Sequence, residues 1–165
     1  MKSFLSTGKL SSASFHLILI SLNWSTTLQV HSQSDLSKDP DEAIALHRQV
    51  LKLRIVPHPD RSTSLNNLAT ALLTRSKQGG RQVDLDEAIS LLIEALELFF
   101  PLDPGRSSLL SNLANVLLTQ FQQGGQKIDL DEAISWHRQA LELRPPPNPD
   151  RFSSLINLAN ALSAC

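Results

Sequence analysis

Tyrosine is absent from this 165-residue sequence, cysteine occurs once, as the final residue Cys165, and aromatic side chains make up only 5% of it. Each scarcity excludes something. A lone cysteine cannot close a disulfide within the chain or build a cysteine metal cage. So few aromatic residues argue against a β-sandwich or barrel, whose strands draw on aromatic and β-branched side chains. Neither sign of charge dominates: 15 Lys and Arg stand against 16 Asp and Glu, for a net charge of −1. No basic field would therefore hold a nucleic acid or an anionic membrane surface. The N-terminal apolar run from Phe15 to Leu22 is broken by His16 and followed by Asn23, well short of the roughly 20 residues a membrane span requires. Catalytic fingerprints are missing as well: there is no phosphate-binding glycine loop, no Gly-x-Ser-x-Gly elbow, no His-Glu-x-x-His pair and no dinucleotide motif. The expectation is a non-enzymatic protein that needs no cofactor and no metal.

What is present is repetition. Asp41-Glu42-Ala43-Ile44 returns as Asp86-Glu87-Ala88-Ile89 and as Asp131-Glu132-Ala133-Ile134, 45 residues apart each time. Asn67-Leu68-Ala69 returns at the same interval as Asn112-Leu113-Ala114 and Asn157-Leu158-Ala159. Pro59, Pro104 and Pro149, the arginines Arg61, Arg106 and Arg151, and the pairs Gly79-Gly80 and Gly124-Gly125 keep the same register without a gap. Agreement of several spaced motifs at one fixed period marks a tandem repeat.

Each unit holds two helical patterns. In the first, helix A, Leu65, Leu68, Ala69, Leu72 and Leu73 follow the i, i+3, i+4, i+7, i+8 spacing of a single apolar stripe, repeated by Leu110, Leu113, Ala114, Leu117 and Leu118. Asp60 is the expected N-cap, and Gly79-Gly80 the expected stop. In helix B, Leu85, Ala88, Ile89, Leu92, Ala95 and Leu96 form the stripe. Asp84 with Glu87, and Asp129 with Glu132, read as capping boxes in which the aspartate is the N-cap. Pro40 falls at the first helical position, where its missing N–H costs nothing. Two such helices cannot bury both stripes alone, so neighbouring units must stack around a shared core. The fold class expected is all-α, an α-solenoid of antiparallel helix pairs.

The Leu-Ala pair in helix A, the alanines seven residues apart in helix B (Ala88 and Ala95, Ala133 and Ala140) and the Pro-rich exit resemble the tetratricopeptide repeat (TPR) over roughly residues 38–165. The period exceeds the usual one of about 34 residues, with the excess in the Gly-Gly loop and the Pro-rich turn. The longer unit, with Asn-Leu-Ala and Asp-Leu-Asp-Glu-Ala-Ile, is similar to the kinesin-light-chain-like arrays common in fungal proteins. That resemblance implies a protein-protein interaction scaffold that binds an extended peptide or partner protein in a groove lined by helix A. The alternative is a detached sensor fragment of a larger NTPase or CHAT-type protease whose catalytic domain lies elsewhere.

Two ladders are the candidate binding residues. Asn67, Asn112 and Asn157 recur one position before the Leu-Ala pair, with Thr70, Asn115 and Asn160 three residues further on the same face. Their side chains can meet a peptide backbone, or instead bond a neighbouring helix and fix the repeat. Arg61, Arg106 and Arg151 sit in first helical turns, where a cation opposes the helix dipole. Something outside the helix must offset this, either a carboxylate of an adjacent repeat or an acidic partner.

Other residues read as structural. His47 and His137 are replaced by Leu92 in the middle copy, which favours a space-filling role over a metal or catalytic one. The pairs Asp41-Glu42, Asp86-Glu87 and Asp131-Glu132 fall in first helical turns, where negative charge suits the dipole. Trp136 replaces Leu91 beside the stripe, and the Cys165 thiol could make an adventitious dimer.

The array starts on a helix B at Asp39 and ends on a helix A at Leu162. Its last face would expose Leu155, Leu158 and Leu162, which implies a fragment, an obligate partner binder, or self-association through the uncapped C-terminal helix. Residues 1–37 lack the repeat signature and read as an N-terminal extension with these alternatives: a capping helix over 12–30, a secretory signal ending near Ser32, or disorder or a mispredicted leading exon. Placement in the cytoplasm follows unless residues 1–32 act as that signal.

Overall fold

The computed structural model describes residues 39–56, 58–100, 103 and 105–164. The calls on residues 1–37, on Pro104 and on Cys165 lie outside these. Chain contacts divide the protein into Met1–Asp39 and Pro40–Cys165, and the second unit is all-helical among the described residues. Its six helices are α1 (Pro40–Leu53), α2 (Arg61–Gly79), α3 (Gln82–Glu97), α4 (Arg106–Gln122), α5 (Lys127–Glu142) and α6 (Arg151–Leu162). Helices α2, α4 and α6 are the A type of the sequence pattern, and α1, α3 and α5 the B type.

Helix boundaries follow local chemistry with one shift. Pro40 opens α1, as its missing donor predicts. Gly79 ends α2 and Gly80 takes the left-handed conformation at φ 63°, its N–H donating to the Ser76 carbonyl at 2.6 Å. Asp60 is the N-cap residue of α2, but its carboxylate makes no capping bond. The B helices start three residues earlier than the aspartate pattern implies: α3 is capped at Arg81 and α5 at Gln126. Asp129 is therefore not the cap. It stands three positions inside, where its Oδ2 accepts the Gln126 N–H at 2.7 Å, so the carboxylate satisfies a helix-terminal donor from the opposite end of the box. Asp84 has been recruited instead by an arginine of α2, described below.

Each helix packs on the next in sequence, and α2 and α4, then α4 and α6, also touch. The most extensive contacts join α2 to α3 and α4 to α5. Between them lies the predicted core: Leu65, Leu68, Ala69 and Leu72 of α2, Leu85, Ala88, Leu92, Ala95 and Leu96 of α3, and Leu110, Leu113, Ala114 and Leu117 of α4 are all buried. Leu73, Ile89 and Trp136 lie partly buried at its margin. The alanines allow the helices to approach closely at that seam. A smaller cluster of Leu130, Ile134 and Ala161, with Leu158 against it, joins α5 to α6. Among the described residues no helix is long and apolar enough to cross a membrane.

Candidate functional site

The two polar series of helix A behave differently from copy to copy. Asn112 on α4 donates its amide to Asn66 Oδ1 on α2 at 2.7 Å, so the middle member of the first series locks two A helices together. The partner lies one position before the series, at Asn66. One copy later that position is Ser111, whose hydroxyl donates to the Ser107 carbonyl at 3.0 Å. Asn157 thus has no amide opposite it and faces a different environment. Asn67 is exposed on α2, and so is Thr70, whose hydroxyl donates to the Asn66 carbonyl at 2.9 Å.

A cleft of about 450 Å³ runs across the C-terminal parts of α2 and α4 and across α6. Its lining is Asn115, Asn157 and Asn160, together with Lys77, Leu118, Thr119 and Gln122. Three of the six candidate binding residues are brought together here, whereas Asn67, Thr70 and Asn112 are not part of it. Thr119 donates its hydroxyl to the Asn115 carbonyl at 2.9 Å. The lining carries one cation, Lys77, and no carboxylate. Its amides both donate and accept, which suits the alternating donors and acceptors of an extended peptide backbone. Lys77 and Gln122 were not picked out by sequence, although they occupy the same repeat position 45 residues apart and are both polar.

The arginine series is occupied within the fold. Arg61 Nη1 donates to the Arg54 carbonyl at 2.8 Å. Arg106 Nη1 reaches the Leu96 carbonyl at 2.9 Å. Arg151 Nη1 reaches those of Leu141 at 3.1 Å and Arg144 at 2.8 Å. In every copy the guanidinium caps the C-terminal end of the preceding B helix, where the dipole is negative and carbonyls lack partners. This is the outside interaction that offsets a cation in a first helical turn. Arg61 also holds Glu94 of α3 through Nε and Nη2, at 3.1 and 2.6 Å.

Sequence inspection did not single out two further arginines. Arg75 on α2 grips Asp84 of α3 through two bonds and also reaches Asp41 of α1. Those bonds hold the Asp84 carboxyl below its ordinary pKa despite its burial. Arg144 is buried at the end of α5 and held by three hydroxyls: Ser107 at 3.0 Å, Ser154 at 2.7 Å and Ser108 at 2.9 Å. Such a guanidinium ties the exit of α5 to the starts of α4 and α6.

His137 is fully buried on α5 with neither ring nitrogen bonded, and desolvation lowers its pKa to about 4. His47, partly buried on α1, is lowered for the same reason. Both rings are therefore neutral near pH 7. Among the described residues no group of three or more His, Cys, Asp or Glu could hold a metal ion. Comparison with known proteins assigns no family: no family model matches the chain, and no curated protein matches it.

Proposed function

We propose that α1 to α6 form a TPR-like α-solenoid on a 45-residue period, and that the cleft of Asn115, Asn157 and Asn160 binds an extended peptide segment of a partner protein. The observation that carries this reading is the convergence of those three amides, from two A helices, on one cleft. Asn157 and Asn160 lie three apart on one helix face, and Asn115 comes from the neighbouring A helix, so their spacing suits successive backbone groups of a strand-like ligand. Lys77 biases the site toward segments that carry negative charge, and Leu118 offers an apolar contact. The role is recognition without chemistry, since the lining supplies no nucleophile paired with a base.

The test is selection of ligands from a random peptide display library on the purified chain, followed by affinities for Asn115→Ala and Asn160→Ala. Loss of a buried, directional amide contact should weaken capture by roughly tenfold for each variant. Unaltered affinity in both variants, with unaltered melting temperature, would sink the reading.

A further inference from the structure

Arg144 is the one buried arginine among the described residues, only 7% exposed. Its guanidinium donates to Ser107, Ser108 and Ser154. Three neutral hydroxyls do not balance a charge, and Arg144 makes no ion pair among the described residues. A guanidinium carries five N–H donors; three are engaged in these bonds, which leaves two without an acceptor. Burying an ion without a counter-ion is costly. Arg48, Arg61 and Arg75, all less buried, each hold a carboxylate: Glu87, Glu94, and Asp84 with Asp41. The contrast is sharpest with Arg54, at the same repeat position two copies earlier. Arg54 bonds Ser64 as Arg144 bonds Ser154, but it has the Asp60 carboxylate at 3.9 Å and a side chain that is 33% exposed.

Of the three hydroxyls around Arg144, one stands at the surface. Ser107 and Ser154 are buried, whereas Ser108 is exposed in the first turn of α4. Its Oγ lies 2.9 Å from Arg144 Nη2. Ser108 also borders a cleft of about 170 Å³ whose walls include Ser62, Thr63 and Asn66 of α2, together with Phe99. The amide oxygen of Asn66 is taken by Asn112, which leaves its NH2 group to donate. A substituent on Ser108 therefore has room, polar neighbours and a cation without a partner charge. The openness belongs to the repeat: Thr63, at the same place one copy earlier and followed by four helices, is exposed as well.

We infer that Ser108 is a phosphorylation site and that Arg144 receives its phosphate. In the reaction the Ser108 Oγ attacks the γ-phosphorus of a nucleoside triphosphate held by a protein kinase. The new O–P bond replaces the bridging one, the nucleoside diphosphate leaves, and the hydroxyl proton passes to the base of the kinase. The product carries a charge of about −1.5 to −2, one bond beyond an oxygen that Arg144 already touches. Its oxygens can accept the two N–H groups that the hydroxyls leave over. A dianion in the first turn of α4 also suits the helix dipole. The modification compensates the buried charge and ties the start of α4 more firmly to the exit of α5. It stands apart from the peptide cleft, which lies on other residues.

The experiment uses the intact chain with phosphoserine encoded at position 108, followed by phosphorus-31 NMR and thermal melts. The second ionisation of phosphoserine, ordinarily near about pH 6, should fall by about one pH unit, and the melting temperature should rise by several degrees. The comparison variant combines Arg144→Phe with Ser154→Leu, which copies Phe99 and Leu109 of the middle repeat, an apolar pair this fold already packs. In that variant the phosphoserine should titrate at its ordinary value and leave the melting temperature where it was. Phosphoserine encoded at position 63, where Phe99 stands in the place of Arg144, gives the same comparison with the arginine intact. Unmodified chain incubated with magnesium ATP and a panel of serine kinases should carry phosphate on Ser108 by tandem mass spectrometry. Four results would overturn the inference: an unshifted ionisation at position 108, equal shifts at 108 and 63, no phosphate on Ser108 from any kinase, or a melting temperature of the unmodified chain that rises in millimolar inorganic phosphate only while Arg144 is present. The last would make a free anion the occupant.

Discussion

Arg75 holds Asp84 through two bonds, Nε to Oδ2 at 2.8 Å and Nη2 to Oδ1 at 2.6 Å, whereas Gln120, at the same place one repeat later, reaches Asp129 through a single bond of 3.2 Å. The difference orders the two A–B helix pairs by the strength of their polar tie. In the first, Asp84 is buried and its charge is fully compensated. In the second, Gln120 leaves its Oε1 buried without a partner, an arrangement that costs stability.

Removing the arginine should therefore be severe. Arg75→Ala strands a buried carboxylate, and a loss on the order of 3 kcal/mol is expected from chemical denaturation. The sign of the pH response follows from the lowered pKa of Asp84. Its contribution is fully present above the unfolded-state pKa of about 3.9 and is lost as pH falls below it. The wild-type chain should lose stability in that acid range, and Arg75→Ala should lose less. Conversely, Gln120→Arg should raise stability by about 1 kcal/mol, because it gives Asp129 a bidentate partner and eliminates the orphaned oxygen.

His137 is a second polar group held against its solvation preference. Its folded-state pKa of about 4 lies below the ordinary value of 6.5, so the unfolded chain binds the extra proton between those limits. Stability is then full above pH 6.5 and falls as the solution is acidified toward pH 4. His137→Leu copies the buried Leu92 of the preceding B helix. It should stabilise the fold by roughly 1–3 kcal/mol near neutral pH. It should also flatten the pH dependence between 6.5 and 4, which denaturant titrations at several pH values would show.

The glycines of the A–B loops are not interchangeable. A β-carbon on Gly125 would stand 2.7 Å from the Gln120 carbonyl oxygen and 2.5 Å from Asp129 Oδ2. The first of these is backbone that cannot swing aside. One on Gly79 would meet only the flexible Arg81 side chain at 3.9 Å. Gly125→Ala should cost on the order of 2 kcal/mol or more, while Gly79→Ala should be neutral or gain a few tenths. Equal effects in thermal melts of the two variants would contradict the close-packed loop.

Most of the helical framework was legible because it rests on period. Leucines at 65, 68 and 72, and at 110, 113 and 117, announce a stripe whatever their neighbours do. The glycine stop at Gly79-Gly80 was legible for the same local reason. The B-helix starts were misplaced because Asp84 and Asp129 satisfy the capping pattern in two registers, and what selects one is the grip of Arg75 on Asp84 from the neighbouring helix in the first copy and the local bond from the Gln126 N–H to Asp129 in the second. The asparagine series looked uniform in sequence and is not. Whether each amide bonds a neighbour depends on the residue one position before the previous copy, Asn66 in one case and Ser111 in the other. Lys77 and Gln122 line the cleft from the last turns of α2 and α4, a placement set by how the A helices pack side by side, which no single-helix pattern encodes.

The arginine caps offer the clearest separation of charge from geometry. Arg106 is bonded to the Leu96 carbonyl at the end of α3. Arg106→Ala removes both the bond and the favourable meeting of cation with helix C-terminus, so a loss of about 1–2 kcal/mol is expected. Arg106→Lys keeps the charge but not the forked reach of a guanidinium, and should recover no more than about half of that loss. The part due to charge should fade at high salt, whereas the hydrogen-bonded part should persist. Denaturation of the three proteins at two salt concentrations would resolve the parts. A lysine variant as stable as the wild type at both would show that the arginine acts as a charge alone.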